Sequence, residues 1–375
     1  MTAPRIRFRA ESADGFRGTV TARVDEYFAR TGKSRTANGF IYAKAAIYAA
    51  LATAAYAALL SNTFGAAGSF VLALVYGLSV LLLAINISHD AAHIAVTGNR
   101  RIDTAMHRVL FGLVGVDGYL WRLRHDGSHH VFPNVNGCDI DIDQNPVIRL
   151  SPNHPRAPWQ RYQHIYAVFV YMLTLLDSIF VNDVVYLRKR ELANMRDIVH
   201  RPRDVAIFWL LKLVYLTTNI VVPLLVIRLP WWQILLGYAA TTAVMSLVFV
   251  FLLIGVHFST GAEYPRIGAG GQLRTSWAVH ALATSVDWRP EDRFAHFFSG
   301  GGNAHAAHHL FPRISSCHYP AITPIVRQTA REFGLRYNET NFTGMIAAHF
   351  RHLRALARDD GALSPARSSP RRPAR

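Results

Sequence analysis

Four long apolar blocks set the limits on what this chain can fold into. About 20 apolar residues cross a bilayer as a helix, and only helices and closed barrels satisfy their own backbone polar groups there. Ala45 to Leu60 is apolar and Ala-rich behind Lys44, and Phe70 to Ile87 carries no charge. The turn between them, SNTFGAAG, is short, which predicts an antiparallel hairpin. Val205 to Ile227 is apolar apart from Lys212. Trp231 to Val256 opens on Trp231 and Trp232, which suit an interfacial belt, and its tight RLP link to the preceding block predicts a second hairpin. The expected fold is therefore all-α and integral to the membrane. Two transmembrane hairpins, four spans over about 45–87 and 205–256, carry interfacial helices and a helical cap from 88–204 and 257–358.

Two further apolar stretches are shorter. Val109 to Leu120 cannot span, and Ile165 to Val181 is marginal, with Asp177 and Asn182 at its end. Both read as interfacial or half-buried helices, with six spans as the alternative. One domain, 1–358, is expected to end in a Pro- and Arg-rich disordered tail over 359–375.

Lys and Arg number 40 against 24 Asp and Glu, a formal charge of +16. Such a balance suits nucleic acid or an anionic membrane face, and the apolar blocks decide for the membrane and against nucleic acid. Nearly all the basic residues fall before Ala45, between Ser88 and Asp204, or after His257. The bias of basic loops towards the cytoplasm places both termini and the cap there. The opening MTAPRIRFRAESADGF has no apolar core of a secretory signal. Two cysteines without CxxC spacing, Cys138 and Cys317, exclude a disulfide framework and thiolate metal clusters.

Histidine is the abundant ligand type, with 18 copies. HDAAH supplies His89 and His93, HDGSHH supplies His125, His129 and His130, and HAAHH supplies His305, His308 and His309. Spacings of three and four residues place side chains on one helical face, so one helix can offer several imidazoles to a common centre. All three clusters fall on the same expected side of the membrane. Eight histidines exceed one zinc site, which takes three or four ligands, and point to two metals. Imidazole suits zinc, iron, copper and nickel. A redox-active pair with few carboxylates could reduce O2 and attack an unactivated C–H bond, which no side chain does alone. His107, His154, His280 and His318 read as surface or hydrogen-bonding residues.

The ordered set HxxxH, HxxxHH and HxxHH, interleaved with two hairpins, resembles the membrane fatty acid desaturase family over about residues 15–345. WRLRHDGSHHVFPNVNGCDIDID and HHLFPRISSCHYPAI are similar to the front-end, linoleoyl-CoA-desaturase-like branch. The resemblance implies a di-iron centre, O2 as co-substrate, and removal of two hydrogens from an acyl chain. The box histidines would be iron ligands. His257 in GVHFSTGAEYP stands where the family uses a further histidine, giving nine. Asp90, Asp126, Asn134, Asp139 and Asn303, with Asp141, are candidates to orient the ligand rings from behind. Two features depart from the branch. His305 stands where it often carries Gln, and no fused cytochrome b5 domain is present. Electrons are therefore expected from a separate ferredoxin or cytochrome b5-like protein. The acyl carrier is open between acyl-CoA, acyl-ACP and a lipid, and the expected location is a bacterial cell membrane. Hydroxylation or acetylenic bond formation on the same scaffold is the alternative, and a membrane zinc hydrolase a more distant one.

Overall fold

The computed structural model describes residues 6–12, 14–143 and 146–358, and the tail expected to be disordered lies outside the described residues. After α1 (Phe16–Thr31), the first hairpin is α2 (Gly39–Leu60) and α3 (Ala66–Ala92). The second is formed by the helices Pro202–Val226 and Trp231–His257. Among the described residues these four helices are long and apolar enough to cross a membrane. Helix α2 starts six residues before the apolar block because the Asn38 side chain caps it, accepting from the Phe40 and Ile41 N–H groups. Helix α3 is half buried along its most apolar stretch, whereas Pro202–Val226 is 17% buried there. The first is thus the centre of the bundle and the second its most lipid-facing member.

The two shorter stretches fold as broken helices. Val109–Leu120 is broken between α4 (Arg100–Val114) and α5 (Gly118–Arg124). Gly115 makes the break at φ 85°, where a Cβ would stand 2.7 Å from the Tyr215 ring. Ile165–Val181 lies in α6 (Pro158–Met172) and α7 (Thr174–Arg188), which bend by 61° at Leu173. The bent pair counts as a fifth span if it crosses as one unit. We label the second hairpin α8 (Pro202–Val226) and α9 (Trp231–His257). Lys212, the one charge in α8 beyond Arg203 and Asp204 of its first turn, is buried and donates to Asp183 at 2.8 Å, Gly115 O at 2.6 Å and Ile179 O at 2.8 Å. It fastens α8 to the α4–α5 break and to α7, and satisfies a charge that lipid could not. Pro223 lacks the N–H that α8 needs, and a π turn at Thr217–Val221 precedes it.

The remaining helices form a cap at the ends of α3 and α9. Besides the short helices Ile140–Asp143 and Arg293–Ser299, they are α10 (Trp277–Ala283), α11 (His305–Leu310), α12 (Tyr319–Glu332) and α13 (Phe342–Arg358). A short parallel pair, β1 (Asp287–Trp288) with β2 (Glu339–Thr340), joins two of the cap's loops. Helix α1 buries Phe16, Val20, Val24 and Phe28, a four-residue repeat on one face, against α10, α11 and α12. Each such buried side chain contributes about 1.5–3 kcal/mol.

Candidate metal centre

The histidines come from the cap ends of the spanning helices α3 and α9, from the turn after the short helix α5, and from the cap helix α11. Helix α3 passes through a π turn, Ala84–Ser88, and the His89 N–H donates to Ala84 O across it. The loop before α11 packs directly on that turn. Gly300 sits there at φ 61°, and a Cβ on it would stand 2.6 Å from Ile85 O, so only glycine fits. Helix α5 ends in a second π turn, His125–His129, closed by the His130 N–H on His125 O at 2.8 Å. The spacing HxxxHH predicts an ordinary helical face. The observed π turn instead widens the coil and brings His125 and His130, five apart, to 2.9 Å between Nε2 atoms. His257 is the last residue of α9, and α11 carries His305, His308 and His309.

All nine nominated histidines meet in one cluster. Four of them, His89, His93, His125 and His308, bring one ring nitrogen each to within 4.8 Å of one another. His129, His257, His305 and His309 form a second such quartet. His130 stands between, grouped with His308 and His309. In the second quartet, His257 Nε2 lies 2.7 Å from His305 Nε2 and 2.8 Å from His309 Nε2, and these two are 3.2 Å apart.

These distances fit a metal. The His257 Nδ1–H donates to Thr284 O at 2.8 Å, so its Nε2 carries a lone pair. Three mutually close ring nitrogens cannot all be paired with one another as donor and acceptor. Nitrogens about 2.1 Å from a common ion stand roughly 3.0–3.4 Å apart at 90–109°; the 3.2 Å separation falls in that range and the 2.7 and 2.8 Å separations lie just below it. Among the described residues, the buried His93 Nε2 and His308 Nε2 of the first quartet have no hydrogen-bond partner.

Electrostatics keeps most of these rings neutral. Burial, with neighbouring imidazoles, holds His125, His130, His305, His308 and His309 well below the usual histidine range. His129 is the exception. Burial opposes its charge, but the Asp139 carboxylate, with Asp141, outweighs burial and raises it to about 9. Asp139 lies 3.2 Å from His129 Nδ1 and Asp141 3.5 Å from it. A cation at Nε2 would meet the same carboxylates that favour the proton.

The other nominated residues fall into two groups. Asp139 backs His129 directly, and Asp126 Oδ1 stands 3.3 Å from His93 Nδ1 while Arg122 holds its other oxygen. Asn134, at φ 60°, donates from Nδ2 to His257 O and from its N–H to Asp139, tying two ligand segments together. Asp90 and Asn303 touch no ligand ring by hydrogen bond. Asp90 accepts from Ser315 Oγ, Ser316 N–H and Ser316 Oγ, locking the first box to the loop after α11. Asn303 accepts from Ser299 Oγ and donates to Arg289 O. His107 and His280 are buried hydrogen-bonding residues rather than surface ones, meeting Gly118 O and Pro133 O.

Sequence reasoning passed over several neighbours of the cluster. Trp121 stacks on His125 at 4.1 Å between ring centroids. The Tyr319 hydroxyl lies 3.3 Å from His308 Nδ1, and the Thr284 carbonyl receives His257. The tyrosine in HHLFPRISSCHY was a legible signal; a backbone carbonyl is none.

Comparison with known proteins agrees with this geometry. A family model described as fatty acid desaturase matches residues 66–341. The sn-1 linoleoyl-lipid 6-desaturase of Synechocystis sp. is 28% identical over 362 residues, covering 96% of this chain and 99% of its own length. The acyl-lipid (8-3)-desaturase of Physcomitrium patens is 31% identical over 354 residues, covering 92% of this chain and 72% of its own. An acyl-lipid (8-3)-desaturase of Mortierella alpina is 26% identical over 349 residues, 91% of this chain and 77% of its own.

Proposed function

This chain belongs to the fatty acid desaturase family, and from that premise we propose an O2-dependent acyl desaturase in which the nine histidines hold two iron ions. It is a membrane oxidoreductase; the identity of the metal, the oxidant, the donor and the acyl carrier is our reading. The observation that carries it is the convergence of two imidazole quartets on a shared His130. Two iron ions would supply the redox chemistry: O2, two electrons and two protons, with two hydrogens taken from adjacent methylenes, yield one cis-positioned or trans-positioned C=C and two waters. The electrons come from a separate ferredoxin or cytochrome b5-like protein, for which a basic cytoplasmic face is a fitting partner.

The chain's own residues supply position. Asp139 fixes the Nδ1–H of His129, and the Thr284 carbonyl fixes that of His257, so both rings present Nε2 inward. Trp121 lies flat on His125 and excludes water from that side of the ring. Asp126, held by Arg122, orients His93 from the cap's surface.

The relatives' names specify acyl groups on lipids, so we assign a lipid-linked acyl chain rather than acyl-CoA or acyl-ACP as the substrate. The names differ in the position of the bond, which leaves that to measurement. The basic loops put the histidine end on the cytoplasmic side of a bacterial cell membrane. The test is a lipid profile of a host expressing the chain together with a ferredoxin and its reductase, beside His308→Ala. A new unsaturated acyl species, two hydrogens lighter and lost in the variant, is the expected result. A species heavier by one oxygen moves the assignment to hydroxylation.

A further inference from the structure

The segment Thr284–Trp288 lies between two of the three elements that carry the second quartet, and each of its residues is tied to them or to the cap, Ser285 through its hydroxyl on Ala281 O. The Thr284 carbonyl receives the His257 ring at 2.8 Å, and the Val286 N–H donates to Val256 O at 2.8 Å. The Trp288 N–H donates to Asn303 O at 3.0 Å, just before α11. At the centre stands Asp287, fully buried. Its carboxylate accepts the Ala306 N–H at 2.9 Å and also the His305 N–H, at the first turn of α11. The Tyr337 hydroxyl donates to its other oxygen. Its own N–H donates to Asn338 O at 2.9 Å, within the pairing of β1 and β2.

A buried carboxylate is costly unless every lone pair is used, and here the backbone of the histidine helix uses one side and a tyrosine the other. A six-residue helix cannot hold its own register by internal hydrogen bonds, since four of its N–H groups have no partner within it. Its position must come from outside. Asp287 provides that on the same five-residue segment that receives His257.

We propose that Asp287 is the positioning residue of the second quartet: it sets where His305 and His309 stand relative to His257. This rests on the two-metal reading above. The effect falls mainly on one half of the cluster, because α11 gives two rings to the second quartet and only His308 to the first. His89, His93 and His125 come from other elements, and His308 is steadied instead by Tyr319.

The experiment compares the full-length chain with Asp287→Asn and Tyr337→Phe, purified in detergent and titrated with Co(II) against a competing chelator. Ions bound per folded chain, the affinity of each, and the visible absorption of each Co(II) are read beside the melting temperature. Asp287→Asn is expected to weaken one of two ions by roughly 10–100-fold and change its absorption, and to weaken the other clearly less. Tyr337→Phe, which keeps the carboxylate, should weaken the same ion several-fold. Equal weakening of both ions, or unchanged affinities with a lower melting temperature, would mean a merely structural role and overturn the proposal. Should Asp287→Asn fail to accumulate, Tyr337→Phe decides on the same terms. A parent chain holding one ion overturns the two-metal reading, and the positioning role too unless that ion responds to Asp287→Asn.

Discussion

The two histidine quartets are built differently. His89 and His125 of the first are half-buried, whereas all four rings of the second are buried. The first is steadied by aromatic packing and a half-exposed carboxylate: Trp121 on His125, Tyr319 behind His308, Asp126 beside His93. The second is steadied by a buried carboxylate, Asp139, and by the backbone of Thr284. Buried, hydrogen-bonded supports hold geometry; open rings leave room for something to approach. On the two-iron reading proposed above, the first quartet would be the open side and the second the fixed side.

The largest test of that asymmetry is ligand removal. His309 belongs to the second quartet and to the group around His130, so His309→Ala should lose metal from both halves and abolish product formation. His125→Ala should lose metal chiefly from the first half, and metal content per chain distinguishes the two. Equal partial loss in both variants would erase the distinction.

The next effect is on the rings' supports. Asp139→Asn removes a buried charge from behind His129 and should weaken the second site by roughly 10–100-fold. Asp126→Asn removes a carboxylate whose side chain is 37% exposed and already shared with Arg122, and should cost less than about 10-fold. Chelator competition measures both, and a larger effect at Asp126 would reverse the assignment of open and fixed halves.

The smallest effect lies in the fixed side's backing. His349 on α13 donates from Nδ1 to Phe258 O, next to His257, at 2.6 Å, and accepts the Tyr171 hydroxyl at Nε2. Burial lowers it to about 4. Against roughly 6.5 in the unfolded chain, the unfolded state takes the proton first as pH falls. Stability should therefore be flat above about 6.5 and decline towards 4, by on the order of 3 kcal/mol at most. His349→Gln, which can make both hydrogen bonds without titrating, should flatten the decline in the melting temperature. An unchanged slope would show that this histidine is not what acid attacks.

Much of this was legible in the residues. Spacings of three, four and five within HDAAH, HDGSHH and HAAHH, placed after apolar blocks of spanning length, were enough to nominate eight of the nine imidazoles and the four spans; His257 was nominated only by the family resemblance. What stayed hidden depends on direction and on distance along the chain. Asp90 follows His89 by one residue, about 100° around the helix, so it faces Ser315 and Ser316 rather than its neighbour's ring. Periodicity cannot announce a π turn, which adds a residue to a coil without changing its apolar pattern. Asp287 lies 30 residues beyond His257 and 18 before His305, and nothing in TSVDW marks it as a support for both.

The central claim is a two-iron centre, and the most direct measurement is metal content of the purified full-length chain with iron and zinc counted together. The account predicts two irons per chain, removed by chelation together with desaturase activity and restored with it. One zinc per chain, with activity indifferent to iron, would contradict it.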